Sequence, residues 1–186
     1  MNRRNFIKAG VAGVALASIP NSMSAAVAMA ASDEPQMKPT PKEDAFHVGM
    51  AGFTFVNFDL DKTLATMKQL DVHYLCIKDF HLPLDSDEAR IRDFHAKLSE
   101  SNVVGYAVGP IYMKTEAEVD RAFDYARRVG VKMIVGVPNY ELLDYVEAKV
   151  KEYDFRLAIH LHGPDMPIYP SATDIWENVK NRDKRM

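Results

Sequence analysis

The sequence predicts an α/β protein that contains about the first five βα units of a (β/α)8 barrel, or TIM barrel. Apolar, strand-like segments alternate with amphipathic helical segments at intervals of about 25–30 residues, which is typical of a parallel sheet with covering helices. The strands are nearly continuous apolar runs, as expected for strands that are buried on both faces. Polar side chains recur where several strands end, which favours a barrel.

The predicted strands and helices follow one another without interruption from residue 46 onward. In chain order, the strands are predicted at residues 47–55, 73–80, 103–110, 131–138 and 156–162. The helices are predicted at residues 59–70, 86–99, 115–130, 141–154 and 171–180, where apolar side chains recur at helical spacing. Parallel strands need a long crossover connection, and each predicted helix supplies one.

Cap residues mark several of the predicted helix ends. Asp85 or Ser86 can cap the second helix, with Glu88 nearby. The segment 115–118 (Thr-Glu-Ala-Glu) has the capping-box pattern and opens the third helix, which Gly130 closes. The core side of the fifth helix is predicted to carry Ile175, Trp176 and Val179.

Polar residues at strand ends distinguish the two architectures that a five-stranded parallel sheet allows. A doubly wound sheet that binds a dinucleotide carries a Gly-rich fingerprint after its first strand, and the segment 49–52 (Gly-Met-Ala-Gly) does not match it. The polar residues instead lie at the C-terminal ends of the second, fourth and fifth strands: Lys78, Asp79, His81, Asn139, Glu141, His160 and His162. This distribution is typical of the active face of a barrel.

Two histidines lie at the end of the fifth strand, just before a Gly-Pro turn signal. Side chains alternate along a strand, so His160 and His162 are predicted to point to the same side. Two imidazoles that converge in this way can hold a metal ion or act as acid and base. The alternative is one packed histidine and one that is hydrogen-bonded to the backbone.

Charge and cysteine content exclude some classes of function. The net charge of -3 and the pI of about 6.1 give no electrostatic basis for binding nucleic acid. The single cysteine, Cys76, cannot form an internal disulfide. It lies in an apolar strand, where a thiol is usually inert, so catalysis by Cys76 is not predicted.

Residues 1–31 are interpreted as an export signal outside the fold. Arg3 and Arg4 precede a short apolar stretch, and residues 28–30 (Ala-Met-Ala) offer a small-residue cleavage site. The run from Arg3 to Lys8 resembles a twin-arginine export motif, which predicts a periplasmic or exported protein. The apolar stretch is too short and interrupted for a stable membrane span. The remaining chain divides into a predicted linker, residues 32–45, and the partial barrel domain, residues 46–186.

Three segments resemble a known family. Residues 77–83 (Ile-Lys-Asp-Phe-His-Leu-Pro), 136–138 (Gly-Val-Pro) and 158–164 (Ala-Ile-His-Leu-His-Gly-Pro) resemble the sugar phosphate isomerase/epimerase group, the xylose isomerase-like TIM barrels. The resemblance runs in order from about residue 46 to residue 186 and is nearest to a secreted, Bacteroidetes-like subset. It implies a small-molecule carbohydrate substrate, a divalent metal at the strand ends and proton transfer next to a carbonyl.

The sequence departs from the family pattern in two ways. The usual metal-binding strand ends Ile-Glu-Asn-His, whereas here His160 stands in place of the Glu and His162 matches the His. Imidazole ligands favour Mn, Zn or Co over Mg. A whole barrel needs about 250 residues, so a C-terminally truncated barrel is expected. The alternative is a homo-oligomer in which a second copy supplies the missing strands.

The resemblance and the strand-end positions together suggest a set of site residues. They are His160 and His162 as metal ligands, His81, Lys78 and Glu141 as catalytic residues, and Phe53, Tyr112 and Asn139 as substrate-binding residues. Each suggestion has a structural alternative. These alternatives are a loop hydrogen bond for His81, an ion pair for Lys78, a helix start for Glu141 and core packing for Phe53 and Tyr112.

The sequence therefore predicts a metal-dependent sugar isomerase or epimerase, if the barrel is completed. Two alternatives remain: a lyase or hydrolase that acts on keto-sugars with the same chemistry, and a catalytically incomplete, sugar-binding remnant. The metal-dependent endonucleases of the same superfamily are disfavoured, because the sequence offers no basic groove and carries an export signal.

Overall fold

A computed structural model describes residues 47–186 of the protein. The predicted export signal, the predicted linker and Phe46 lie outside these residues, so their assignments stay predictions. The described residues begin with an extended segment at His47 and Val48 that leads directly into the first strand.

Five parallel strands form one sheet in the order in which they occur in the chain. They are β1 (Gly49–Ala51), β2 (Tyr74–Ile77), β3 (Val104–Met113), β4 (Met133–Pro138) and β5 (Arg156–Ile159). Met50 lies opposite Leu75, and Ile134 lies opposite Leu157. A doubly wound sheet would reverse its strand order at a switch point. The sequential order therefore confirms the prediction of a barrel-type sheet.

A helix follows each strand, and the side chain before each of four helices caps it. The helices are α1 (Leu60–Leu70), α2 (Glu88–Glu100), α3 (Glu116–Val129), α4 (Leu143–Tyr153) and α5 (Ala172–Val179). Asp59, Asp87, Thr115 and Ser171 accept hydrogen bonds from backbone N–H groups in the first turns of α1, α2, α3 and α5. Gly130 ends α3 in the left-handed conformation, as predicted.

The main core lies between the sheet and the helices. Leu75 and Leu157 from the strands join Phe94 and Phe123 from the helices in one buried cluster. On β5, the residues on either side of Leu157 are exposed, because they point to the opposite face of the sheet. One face of the sheet is therefore covered by helices, and the other remains accessible and carries the candidate site.

Several predicted boundaries are wrong by a few residues. β1 ends at Ala51, and the predicted end of this strand is a 3-10 helix, Gly52–Phe55. Asp87 caps α2 instead of Asp85 or Ser86, because its carboxylate accepts a hydrogen bond from the Arg90 N–H at 2.8 Å. α4 starts two residues later than predicted, after the 3-10 helix Tyr140–Leu142.

The predicted core side of α5 is also wrong. None of the residues of α5 is buried, and Trp176 is 61% exposed. Helical spacing of apolar residues predicts one apolar side but does not show what covers it. In the described part of the chain, the apolar side of α5 is left largely open.

Ion pairs hold the C-terminal segment against α4 and β5. Arg182 contacts Asp144 at 2.6 Å and Glu147 at 3.2 Å on α4. The guanidinium of Arg185 contacts the carboxylate of Asp183 at 2.8 Å. The backbone carbonyl of Arg185 accepts a hydrogen bond from the N–H of Leu157 at 2.7 Å. The segment after α5 is therefore fixed alongside β5.

Within residues 47–186, the helices are too short or too polar to cross a membrane.

Candidate functional site

An open pocket of about 540 Å³ lies on the accessible face of the sheet. Residues of β1 to β4 and of the segments that follow β1, β2 and β5 form its wall: Ala51, Phe53, Thr54, Cys76, Lys78, Tyr106, Gly109, Pro110, Tyr112, Val135 and His160. Phe53, Lys78 and His160 come just after the C-terminal ends of β1, β2 and β5, where barrel enzymes carry their active residues.

The two predicted metal ligands lie next to each other beside this pocket. β5 ends at Ile159, so His160 and His162 follow the strand instead of lying within it. Their ring centroids are 5.1 Å apart and their planes are nearly perpendicular, at 89°. The backbone N–H of His160 still bonds to the carbonyl of Gly136 on β4 at 2.9 Å. The sheet therefore fixes the position of the first histidine.

Hydrogen bonds fix the orientation and tautomer of His162. Its Nδ1 lies 2.9 Å from the backbone carbonyl of Ile168. A carbonyl oxygen can only accept, so Nδ1 must carry the proton and donate it. In the neutral ring, Nε2 then presents its lone pair, and it lies 3.1 Å from the hydroxyl of Tyr112. A histidine held in this way is prepared to bind a metal through Nε2.

Burial favours the neutral form of His160. Desolvation lowers the pKa of His160 below its ordinary value of 6.5, and the nearby His162 and Lys78 lower it further. A neutral imidazole has a lone pair that can bind a metal or accept a proton. The surroundings of His160 therefore favour the form of the ring that has a free lone pair.

Lys78 places a positive charge in the pocket wall. Its Nζ donates to the carbonyl of Pro110 at 3.1 Å and contacts a carboxylate oxygen of Asp79 at 3.0 Å. The predicted structural ion pair with Asp79 is thus present, but Lys78 also lines the pocket. An ammonium group has three N–H donors, so one donor remains for a ligand.

Aromatic rings form much of the apolar pocket wall. Phe53 is 60% exposed and Tyr112 is 51% exposed, so neither is the core residue that was the alternative interpretation. Tyr106, which the sequence did not single out, is also partly exposed in the same pocket. Exposed rings on a pocket wall can stack on the apolar face of a sugar.

His81 lies outside the pocket, and its contacts are those of a structural residue. It is 8% exposed, and its Nε2 donates to the carbonyl of Phe58 at 3.0 Å and lies 3.2 Å from the hydroxyl of Thr63. The catalytic assignment is corrected here in favour of the loop hydrogen bond. The reason is that the chain turns after β2 and directs the imidazole toward α1.

Asn139 and Glu141 also lie away from the pocket wall. The side-chain amide of Asn139 donates to the carboxylate of Glu141 at 2.9 Å, just after β4. Glu141 belongs to the 3-10 helix that precedes α4, which agrees with the alternative of a helix start. The structure therefore brings together Lys78, His160, Phe53 and Tyr112, with His162 joined to them through Tyr112.

Two tyrosines that sequence reasoning missed support the histidine segment. Tyr169 is fully buried and donates to the carbonyl of Pro138 at 2.7 Å, and its own carbonyl accepts from the N–H of His162 at 2.9 Å. Tyr140 accepts from the N–H of Tyr169 at 2.8 Å and donates to Asp174 at 2.6 Å. Tyr169 has a φ of 52°, which no sequence pattern around it predicts.

The residues present fit a divalent metal that accepts nitrogen ligands. Nε2 of His162 and the ring of His160 offer two nitrogen donors, and Zn, Co and Mn all accept imidazole. Residues 47–186 contain no group of three or more His, Cys, Asp or Glu side chains arranged to hold a metal. These two histidines would thus supply only part of a coordination shell, and metal binding stays a prediction.

Comparisons with solved structures place the fold among xylose isomerase-like TIM barrels. An uncharacterised protein from Parabacteroides distasonis matches with a TM-score of 0.66 and 26% identity over 76% of this chain. A sugar phosphate isomerase/epimerase from the same organism matches with a TM-score of 0.53 and 14% identity over 77%. A xylose isomerase domain protein from Alicyclobacillus acidocaldarius matches with a TM-score of 0.51 and 14% identity over 72%.

The chain spans about three fifths of the length of these proteins, namely 61%, 64% and 60% of their respective chains. No family model matches the sequence, and no curated protein matches it either. The matched fold confirms the resemblance drawn from the strand-end segments. Over the part that it spans, the chain has the fold of the xylose isomerase-like barrels.

Proposed function

We propose that the protein takes part in carbohydrate chemistry as a metal-dependent sugar isomerase or epimerase. The observation that carries this proposal is the arrangement of two neighbouring histidines beside an aromatic pocket with one lysine. The fold shared with a sugar phosphate isomerase/epimerase supports the class of reaction. Export to the periplasm, predicted from residues 1–31, is part of the same proposal.

His160 and His162 would hold the metal through their free ring nitrogens. The bound metal would polarise the carbonyl and hydroxyl oxygens of the sugar. The hydrogen bond from His162 Nδ1 to Ile168 would keep the ring oriented, because rotation of the ring would break this bond. Further coordination positions remain for other ligands, since the described residues supply two imidazoles.

Lys78 and the aromatic rings would bind the sugar itself. The remaining N–H of Lys78 would donate to a sugar oxygen and stabilise negative charge that develops on it. Phe53 and Tyr112 would stack on the ring of the sugar. Among residues 47–186, Lys78 is the one lysine or arginine in the pocket wall and is already paired with Asp79, so a sugar without a phosphate group fits best.

A second candidate is a sugar-binding protein without catalysis. Its support is that the described pocket wall contains no carboxylate that could move a proton between carbons. Both candidates predict binding of a sugar, but only the enzyme predicts exchange of a carbon-bound proton with solvent.

The deciding experiment measures metal binding and solvent exchange on the same protein. Aldoses and ketoses without phosphate are incubated in deuterated buffer with Mn, Zn or Co, and deuterium at the carbons next to the carbonyl is followed by NMR. We expect metal-dependent deuterium incorporation, and we expect the double variant His160→Ala, His162→Ala to lose both metal binding and incorporation.

His73→Ala is the matched control for this experiment. His73 bonds to the carbonyl of Asn102 and to Asp71, on a part of the surface that does not line the pocket. We expect this variant to behave like the unchanged protein. Full metal occupancy in the double variant would exclude the site, and sugar binding without deuterium incorporation would favour the second candidate.

A further inference from the structure

We infer that the hydroxyl of Tyr112 occupies the metal-binding position on His162 and must be displaced when a metal binds. The inference rests on the proposed metal site and assigns a positioning role to Tyr112, which the sequence suggested only as a sugar contact. Its basis is the hydrogen bond between Tyr112 Oη and His162 Nε2, 3.1 Å long.

The direction of this hydrogen bond follows from the other side of the imidazole. His162 Nδ1 donates to the carbonyl of Ile168, so in the neutral ring the lone pair belongs to Nε2. The phenol O–H of Tyr112 is therefore the donor and Nε2 the acceptor. A metal ion needs the same lone pair, so the O–H donor and the metal cannot both use it.

Tyr112 lies against His162, so Nε2 is released only when the hydroxyl moves away. The rings of Tyr112 and His162 are stacked, with centroids 5.9 Å apart and planes inclined by 22°. Tyr112 lies near the end of β3, and the strand fixes its backbone. Since Oη lies on the axis about which the ring turns, freeing Nε2 requires a change in the χ1 torsion of Tyr112 that moves the whole ring.

This arrangement has a functional consequence. Before the metal binds, Tyr112 satisfies the lone pair of His162 and stabilises the tautomer that carries its proton on Nδ1. After the metal binds, the phenol hydroxyl becomes free to bond to a sugar oxygen. Metal binding and the sugar contact would then be coupled through one side chain.

The test compares metal affinity in two phenylalanine variants. Tyr112→Phe removes the competing hydroxyl and keeps the ring, whereas Tyr145→Phe removes a hydroxyl that bonds to Asp120 and does not line the pocket. Affinities for Zn and Co are measured by titration against a chelator. Since a net hydrogen bond is typically worth a factor of about five in an equilibrium constant, we expect Tyr112→Phe to bind about fivefold more tightly. Tyr145→Phe should match the unchanged protein.

Other outcomes separate this inference from the proposed function. If the unchanged protein binds metal through the two histidines but Tyr112→Phe binds equally or less tightly, the displacement is wrong and the metal site stands. Weaker binding together with tyrosinate absorbance in the unchanged protein would make Tyr112 a ligand and overturn the inference. If neither protein binds metal, the proposed function itself fails, and the inference fails with it.

Discussion

His81 illustrates at the residue scale how position after a strand can mislead. It follows β2 as catalytic residues follow barrel strands, yet its imidazole is buried between the carbonyl of Phe58 and the hydroxyl of Thr63. These contacts join the segment after β2 to the start of α1. The residue therefore stabilises the fold close to the pocket without lining it.

Replacing His81 should lower stability and leave metal binding unchanged. His81→Ala removes the donor to Phe58 and leaves buried polar groups without a partner, so we expect a loss of about 1–3 kcal/mol in the free energy of unfolding. Urea denaturation measures this loss. If His81→Ala is still folded but loses metal binding, His81 takes part in the site after all.

At the same scale, the two histidines lie close together, but alternation along a strand is not the reason. Both residues follow β5 instead of lying within it, and their ring centroids are 5.1 Å apart. Their metal-binding role stays a prediction. The supporting Tyr169 could not be found, because its contacts depend on a loop that returns to β4 and on a positive φ. Local patterns carry no information about such returns.

At the scale of elements, Gly109 shows why β3 extends beyond its predicted end. The Gly-Pro pair at residues 109–110 predicted a strand end, but β3 continues to Met113. The register with β4 shifts between Val108 and Ile111, so the strand passes through an irregularity instead of stopping. Gly109 has a φ of 127°, and a Cβ there would lie 2.1 Å from the carbonyl oxygen of Val135.

A pair of glycine variants should separate backbone conformation from packing. Gly130 also has a positive φ, of 77°, but a Cβ there would contact nothing within 4 Å. We expect Gly130→Ala to cost about 1 kcal/mol and Gly109→Ala to cost about 3 kcal/mol or more, because β3 and β4 would have to separate. Thermal and urea unfolding of both variants measure the difference, and equal costs would contradict the close approach.

The alternation of strands and helices was predictable, whereas several exact ends were not. The capping box at Thr115 and the glycine at Gly130 fixed the ends of α3 because these signals are local. The end of β1 was missed because the apolar residues that follow Ala51 suit both a strand and the observed 3-10 helix. Packing decides between the strand and the 3-10 helix, and packing cannot be read from the sequence of this segment alone.

At the scale of the whole molecule, the C-terminal segment connects the end of the described chain to α4 and β5. Arg182 reaches two acidic residues of α4, and Arg185 pairs with Asp183 and Asp154. The side-chain hydrogen bond from Arg185 holds the pKa of Asp183 well below its ordinary value of 3.8. The ion pair between Arg185 and Asp183 therefore makes the free energy of unfolding depend on pH.

Acid should weaken the fold partly through Asp183. Its pKa is lower in the folded protein, so the unfolded chain binds more protons, and stability falls as the pH drops below about 4. We expect Asp183→Asn to be less stable at neutral pH and to lose less stability between neutral pH and pH 3. Asp165→Asn is the control, since Asp165 is exposed and forms no ion pair with a described residue. An unchanged acid profile in Asp183→Asn would contradict the linkage.

The sequence was most informative about the whole molecule. Repeated strand and helix segments predicted the parallel sheet, and polar strand ends predicted the barrel-type order that the sheet has. The chemistry was less predictable, because a pocket depends on which side chains of distant segments meet. Phe53, Lys78 and Tyr112 come from three different βα units and meet only in the folded sheet.

His162 is held by one hydrogen bond from its backbone and one from its ring, and both partners lie beyond the loop that follows it. Its N–H bonds to the carbonyl of Tyr169 and its ring to the carbonyl of Ile168, while residues 163–167 between them are all exposed. The loop is thus closed at its base by two hydrogen bonds that do not involve its exposed residues. Substitutions within residues 163–167 would therefore leave both bonds to His162 intact, and the nitrogen that would bind a metal would stay in place.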